Sequence, residues 1–320
     1  MGWGDFLRKE AQTPWTEHYV MAGVLGAIST NSQDILAAAR GSFCRAEALH
    51  PEPRTHMRFW VDPQGTTRAP WPKPLFRGLD HLIFAGLDAQ NSILIDRLRR
   101  RAIGRFSPAL AADQARWKTV LFPNLLTLMG PAIGVTELHC ACVVRDGRGI
   151  LLAGRSGSGK STLTLALARR GFSFLSDDWT YFSRCDDVIW AWGLIPRLKL
   201  LPPAAAFFPE LAHFDTAVSV NGEKAFEIDP EQDLEVPRSR SCEPRQLVFL
   251  ERTSSPAFIL TRMAAADAAA HLEEDLLADT PEALQPQLEI VRRLVERGCW
   301  QLRYGVAPDV VAQKLAGLFP

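Results

Sequence analysis

The sequence predicts an α/β protein, with a mixed α/β segment over residues 1–134 leading into a nucleotide-binding domain over residues 135–320. Three observations carry that expectation. The apolar run Gly149 to Ala153 feeds directly into a glycine-rich octet, Gly154-Arg155-Ser156-Gly157-Ser158-Gly159-Lys160-Ser161. A helix-forming run from Ser161 to Arg170 follows, and after it comes an aromatic-rich strand, Phe172 to Leu175, that ends in two acids, Asp177 and Asp178. Strand, helix and strand in that order are the mark of an α/β sheet.

The bulk composition sets the frame. A chain of 320 residues, 47% hydrophobic and 22% charged, is long enough for one large or two ordinary domains with packed cores. Lys+Arg and Asp+Glu are equal at 36 each, so no global field draws the chain to nucleic acid or to an anionic membrane, and neither is expected as a partner. The first ten residues, MGWGDFLRKE, lack the basic start and apolar stretch of a signal peptide, and no apolar run approaches the roughly 18 residues that span a bilayer. A cytoplasmic location is expected. Six cysteines are scattered without a CxxC pair, which points to core thiols rather than to disulfides or zinc.

The first 134 residues read as an accessory domain without a catalytic signature. An apolar stretch runs from Tyr19 to Ile28, a helix from Gln33 to Ala39, and a strand from His56 to Val61. A proline-rich break at Pro70 to Pro74 precedes two strands, Leu79 to Ala85 and Ser92 to Ile95, around the turn-forming Asp88-Ala89-Gln90-Asn91. Ser107 as N-cap and Pro108 at the first helical position start a helix that runs toward Met129 with an interruption at Pro123.

The second domain carries the chemistry. Leu138 to Arg145 is apolar enough for a buried strand, and Asp146-Gly147 signals a two-residue hairpin into Gly149 to Ala153. The octet matches the phosphate-binding pattern G-x-x-x-x-G-K-[ST], and Gly171 closes the following helix at C′. Glycines let successive backbone N–H groups turn inward on phosphate oxygens, and the helix start adds the positive end of its dipole. Lys160 reaches the β- and γ-phosphates, and the Ser161 hydroxyl supplies a ligand to Mg²⁺; with Thr162 these residues make the predicted nucleotide-binding set. A strand returning parallel beside the loop strand would deliver Asp177 and Asp178 to the same sheet edge. One carboxylate there suffices for Mg²⁺. The second invites a role as base toward an attacking hydroxyl, the alternative being that Asp177 only bonds backbone while Asp178 holds the metal, as in P-loop hydrolases.

The stretch Leu138 to Phe182 resembles the catalytic domain of the HPr kinase/phosphorylase family and its HPr-kinase-related branch. The resemblance lies in His139 before the loop, the Gly-x-Ser-Gly-x-Gly-Lys-Ser form of the loop itself, Arg170-Gly171 closing the helix, and Asp177-Asp178 closing the next strand. It implies a P-loop kinase fold related to the nucleotide domain of phosphoenolpyruvate carboxykinases, with ATP as phosphoryl donor, Mg²⁺, and a serine on a small protein or peptide as acceptor. It further implies Asp177 as base, Ser161 and Asp178 at the metal, Lys160 on the phosphates and His139 assisting near the acceptor. His139 otherwise reads as an ordinary core histidine on an apolar strand.

Downstream the match gives out. Where the family carries Glu-x-Arg-Gly-x-Gly-Ile-Ile, this chain reads AWGLIPRLKLLPP from Ala191 to Pro203, with Gly193 and Leu194 alone echoing it. That leaves a small-molecule acceptor open, along with a nucleotide-sensing regulator that transfers nothing, and it argues against phosphorolysis. A homo-oligomer also stays open. Arg197 and Lys199 alternate on a strand that either faces the triphosphate or lies in solvent, and Glu223 and Glu227 are candidates for a missing metal acid. The arginines at 97, 99, 100, 101 and 105 read as an exposed charged face before they read as a grip on an acidic partner. Amphipathic helices are expected over Met263 to Leu277 and Pro281 to Arg297, the second capped by Thr280, covering the sheet; Trp190, Trp192 and Trp300 read as core.

Overall fold

A computed structural model describes residues 12–46, 52–218, 222–277 and 281–319. The chain divides into two compact units, Met1–Val135 with Ala278–Ala283, and Thr136–Leu277 with Leu284–Pro320. Both carry mixed sheets and helices, which makes the protein α/β. No helix among the described residues is long and apolar enough to cross a membrane.

The first unit is one eight-stranded sheet and a helical layer. Its strands are β1 (Trp15–Met21), β2 (Val24–Thr30), β3 (Cys44–Arg45), β4 (Thr55–Val61), β5 (Leu75–Leu79), β6 (Leu82–Gly86), β7 (Ser92–Asp96) and β8 (Arg101–Phe106), in the order β3-β1-β2-β4-β8-β7-β6-β5. The central pairs β2–β4 and β4–β8 are parallel and the rest antiparallel. The apolar stretch from Tyr19 to Ile28 is therefore not one element but a hairpin, folded at Ala22-Gly23, where both residues have positive φ. Likewise Leu79 to Ala85 is broken at Asp80, φ 54°, into the end of β5 and the start of β6. In each case the turn lies inside an apolar run that conceals it.

Helix α1 (Gln33–Ser42) forms as expected. Ser107 caps α2 (Pro108–Ala112), accepting from the Leu110 N–H at 3.3 Å. The interruption comes at Asp113, not at Pro123: Asp113 caps the short α3 (Gln114–Arg116), a π-helical turn covers Trp117–Leu121, and Pro123 sits in the first turn of α4 (Phe122–Ile133), directly after that turn. Phe59, Phe106, Trp117 and Phe122 pack edge-on with ring centroids 4.9 to 5.7 Å apart and form the centre of this core. Several of the clustered arginines are tied locally, Arg99 to Asp96, Arg105 to Asp62, and Arg97 to the Leu128 carbonyl, which fits a structural face.

The second unit contains β9 (Val135–Leu138), β10 (Cys140–Arg145), β11 (Arg148–Ala153), α5 (Lys160–Ala168), β12 (Ser173–Ser176), β13 (Thr180–Cys185), β14 (Val188–Trp192) and β15 (Leu198–Leu200). Then follow β16 (Thr216–Val218), β17 (Lys224–Ile228), α6 (Pro230–Leu234), β18 (Ser241–Arg252), β19 (Phe258–Arg262), α7 (Ala265–Glu273), α8 (Pro281–Glu296), β20 (Cys299–Tyr304) and α9 (Pro308–Leu318). The main sheet runs β12-β10-β11-β18-β14-β13-β9, with β20 added to β18 and β19 to β20; β15, β17 and β16 make a small separate sheet.

The loop strand β11 is buried on both faces, which is why it reads as an unbroken apolar run. Ile150 and Leu152 join the layer under α5 and α9, while Leu151 and Ala153 face a second layer that includes Ala268 and Leu272 of α7 and Ile290 and Leu294 of α8. The two C-terminal helices cover the sheet as expected; Thr280 lies outside the described residues. Trp190, Trp192 and Trp300 are half-buried, Trp300 packed against the core under α5 and α9, and two of the six cysteines, Cys44 and Cys185, are exposed.

One topological expectation is overturned. β12 does not lie beside β11: the Asp146-Gly147 hairpin, both residues at positive φ, places β10 on one side of β11, and β18 takes the other in parallel register. β12 pairs antiparallel with β10 instead. Two antiparallel steps restore the direction of β11, so the carboxyl end of β12 still arrives at the edge where β11 ends.

Candidate active site

The octet begins where β11 stops, and its backbone requires glycine. Gly154 has φ 139°, and a Cβ there would stand 2.7 Å from the Leu250 carbonyl of β18. Gly159 has φ 95° and lies so close to the Tyr304 hydroxyl that no side chain fits. Lys160 opens α5 and donates from Nζ to the Gly154 carbonyl at 2.8 Å, closing the loop on itself. The Ser158 hydroxyl is buried without a hydrogen-bond partner among the described residues. Arg155, Ser156 and Gly157 are exposed at the rim, and Ser161 and Thr162 lie half-buried in the first turn of α5. That helix ends in a Schellman turn, with the Gly171 N–H on the Ala168 carbonyl and the Phe172 N–H on the Leu167 carbonyl, which puts Gly171 at C′.

Tyr304, at the end of β20, donates to the Ser158 carbonyl at 2.7 Å from a buried position, and burial pushes its phenol up to about 12, so it stays a donor. Arg252, the last residue of β18, runs alongside, its Cδ 3.6 Å from where a Gly159 Cβ would stand. Neither residue was singled out in the sequence, because the strand pairing that brings them to the loop is non-local. Tyr304→Phe is expected to weaken triphosphate binding about threefold to tenfold, the worth of one hydrogen bond of about 1 kcal/mol, as titration with a fluorescent ATP analogue would read. Lys160→Ala removes a charged contact and is expected to weaken it about 10- to 100-fold.

Asp177 and Asp178 follow β12 but occupy different environments. Asp177 is buried; its Oδ2 accepts the Lys199 N–H at 2.9 Å, and its Oδ1 has no hydrogen-bond partner among the described residues. Burial pushes this carboxyl up to about 6, with the neighbouring Asp178 adding to the rise. The Lys199 N–H, the approaching Ser161 hydroxyl and Lys160 pull it partly back. Asp178 sits at φ 67° in the middle of a three-residue turn closed by the Trp179 N–H on the Asp177 carbonyl, a strained conformation for a residue with a Cβ. Its side chain is 54% exposed and its Oδ1 lies 3.0 Å from Nε2 of His139, a contact that holds the carboxyl below its usual range.

His139 is not on a strand. It breaks the expected strand Leu138 to Arg145 into β9 and β10, its N–H donating to Asp275 Oδ2 at 2.9 Å and its ring lying against Trp179, centroids 5.0 Å apart. Its side chain is 30% exposed, which is not the setting of a core histidine.

Other candidates are placed elsewhere. The Lys199 side chain is paired with Glu223 at 2.7 Å and Arg197 with Glu227 at 3.0 Å, so the two glutamates meet strand cations and not the Asp177–Asp178 pair. No group of three or more His, Cys, Asp or Glu side chains suited to a metal occurs among the described residues. A hard cation such as Mg²⁺ needs few protein ligands when phosphate oxygens complete its shell. The Asp177 carboxyl, with its Oδ1 unpartnered among the described residues and the Ser161 hydroxyl near the group, fits that role.

No protein-family model matches the chain, and no curated protein matches it. Among solved structures, that of the Hpr(Ser) kinase/phosphatase from Coxiella burnetii is similar at 12% identity with a TM-score of 0.29, covering 57% of this chain and 95% of that one. The likeness is weak and carries no functional argument.

Proposed function

We propose that the protein is an ATP-dependent kinase that transfers the γ-phosphoryl group to a hydroxyl, that of a serine on a small protein or peptide. The observation that supports it is a P-loop with two adjacent carboxylates in opposite settings, one buried with an open oxygen and one exposed and bonded to a histidine.

These settings favour a division of roles that reverses the one implied by family resemblance. Asp177, beside Ser161, suits the metal, and Asp178, beside His139, suits the base. In the reaction the loop N–H groups and Lys160 hold the β- and γ-phosphates, and the helix dipole of α5 adds to the field. Ser161 and Asp177 would hold Mg²⁺, which would supply positive charge to offset that of the phosphates. Asp178, kept ionised by its bond to His139, accepts the proton of the acceptor hydroxyl as the oxygen approaches the γ-phosphorus in line, and His139 stabilises or relays that proton. A base at Asp178 suits a hydroxyl acceptor, and the resemblance of Leu138 to Phe182 favours a serine.

Incubation of the purified chain with γ-labelled ATP, Mg²⁺ and lysate or the products of neighbouring genes tests this. Label on a polypeptide, lost on base treatment as a phosphoserine ester would be, is the expected result. Label on a small solute would make the protein a metabolite kinase. Nucleotide binding with no labelled acceptor, unaffected by substitution of Asp178, would leave a nucleotide-sensing regulator.

A further inference from the structure

At the end of β11 opposite the P-loop, beneath the Asp146-Gly147 hairpin, lies a cavity of about 480 Å³. Four arginines line it, Arg145, Arg148, Arg245 and Arg297, and among the described residues no carboxylate does. One acid stands behind them. Glu243 bonds Arg245 at 2.8 Å and Arg297 at 2.7 Å, whereas Arg145 and Arg148 have no carboxylate partner among the described residues. Arg145 and Arg148 are moreover directly opposite in the hairpin register, a like-charged pair that the sheet carries at a cost.

Of the four, Arg145 is held in place by neutral partners alone. Arg145 lies over the Phe172 ring, 3.8 Å from its centroid, and donates to the carbonyls of Arg170 at 2.9 Å and Ala316 at 3.3 Å. Arg297 donates to the Pro244 carbonyl at 3.0 Å. Carbonyls fix Arg145 without cancelling its charge, and one carboxylate shared by Arg245 and Arg297 leaves the four arginines with a net positive charge. Arginine forks match phosphate oxygens two at a time. Ile150, Phe172, Leu318 and Phe319 give the wall an apolar part, and Gln246 adds one polar side chain, its Oε1 already accepting from Trp300 Nε1 at 2.8 Å. The volume is that of a small-molecule site.

We infer that this cavity binds a small molecule carrying a phosphate group on a flat apolar moiety, the phosphate on the arginines and the apolar part against Leu318 and Phe319. The site is distinct from the nucleotide site, since the six residues of β11 separate the two by about 17 to 20 Å.

The test uses the full chain carrying Lys160→Ala, which weakens phosphate binding at the P-loop. Isothermal titration is run with phenyl phosphate, inorganic pyrophosphate and phenol. Expected is saturable binding of phenyl phosphate, weaker binding of pyrophosphate and none of phenol, with the double substitution Arg148→Gln and Arg245→Gln weakening phenyl phosphate at least about tenfold. In the chain with native Lys160 the same double substitution should leave ATP affinity within about twofold, which also reports that the fold is intact. Absence of saturable phenyl phosphate binding up to about 1 mM, or binding indifferent to the two arginines, overturns the site. Pyrophosphate binding as tightly as phenyl phosphate overturns the apolar half of the ligand.

Discussion

Asp178→Asn is expected to lower the rate of phosphoryl transfer about a thousandfold while leaving Mg²⁺-ATP affinity within about threefold, the signature of a lost base rather than a lost binding group. The residue is exposed, close to the loop, and bonded through Oδ1 to His139, so its replacement by the isosteric amide leaves the turn intact and removes the proton acceptor. A general base contributes about 10² to 10⁴ in rate. The middle of that range applies because the His139 contact lowers the basicity of Asp178 even as it orients it. His139→Gln should cost less, about tenfold, since the base remains but loses its partner. Single-turnover transfer to the labelled polypeptide, compared with equilibrium binding of a fluorescent ATP analogue, separates the two quantities. A loss of affinity that matches the loss of rate would place Asp178 in the metal site and restore the role that family resemblance implies.

How much of this was legible beforehand follows from how local each feature is. The glycine-rich loop between β11 and α5, the Asp146-Gly147 turn and the Gly171 helix end depend on residues within a few positions of one another, and all three form where the sequence predicts them. The hairpin at Ala22-Gly23 was concealed because alanine is a poor turn signal inside an apolar run. The neighbour of β11 was misjudged because a β-α-β order leaves open whether a third strand intervenes, and here the hairpin inserts β10. At the site, sequence alone showed two adjacent acids and a histidine, but not which acid meets which partner. That depends on Ser161 approaching Asp177 and on the positive φ of Asp178, which turns its side chain out toward His139. Tyr304 lies 146 residues from the carbonyl it holds, and Asp275 lies 136 from the N–H it accepts, so neither carries a sequence signal for its role.

Asp177→Asn is expected to do two opposed things, raising the stability of the nucleotide-free protein while abolishing the dependence of nucleotide binding on Mg²⁺. Its carboxyl titrates near 6 in the fold against an ordinary value of 3.8. A raised carboxyl binds its proton more tightly folded than unfolded, so its contribution to stability is complete below about pH 4 and is lost as pH rises through about 6. Above that, the folded protein carries a buried charge whose cost, at 1.36 kcal/mol per pH unit of difference, comes to about 3 kcal/mol. Asparagine keeps an acceptor for the Lys199 N–H and has no charge to bury, so Tm at pH 7.5 should rise by several degrees, about 6 to 10 °C for a unit of this size. The wild-type fall in stability between pH 4 and 6 should flatten in the variant. The same substitution removes the anionic oxygen proposed for Mg²⁺, so added Mg²⁺ should no longer strengthen ATP binding. Destabilising charge held at the one place where a cation would relieve it is the pattern of a site kept for function at the expense of stability. Thermal unfolding from pH 4 to 8, with ATP titrations with and without Mg²⁺, reads both effects. A variant less stable than wild type at pH 7.5 would mean that the carboxylate is satisfied in the fold, and a retained Mg²⁺ effect would move the metal to Asp178.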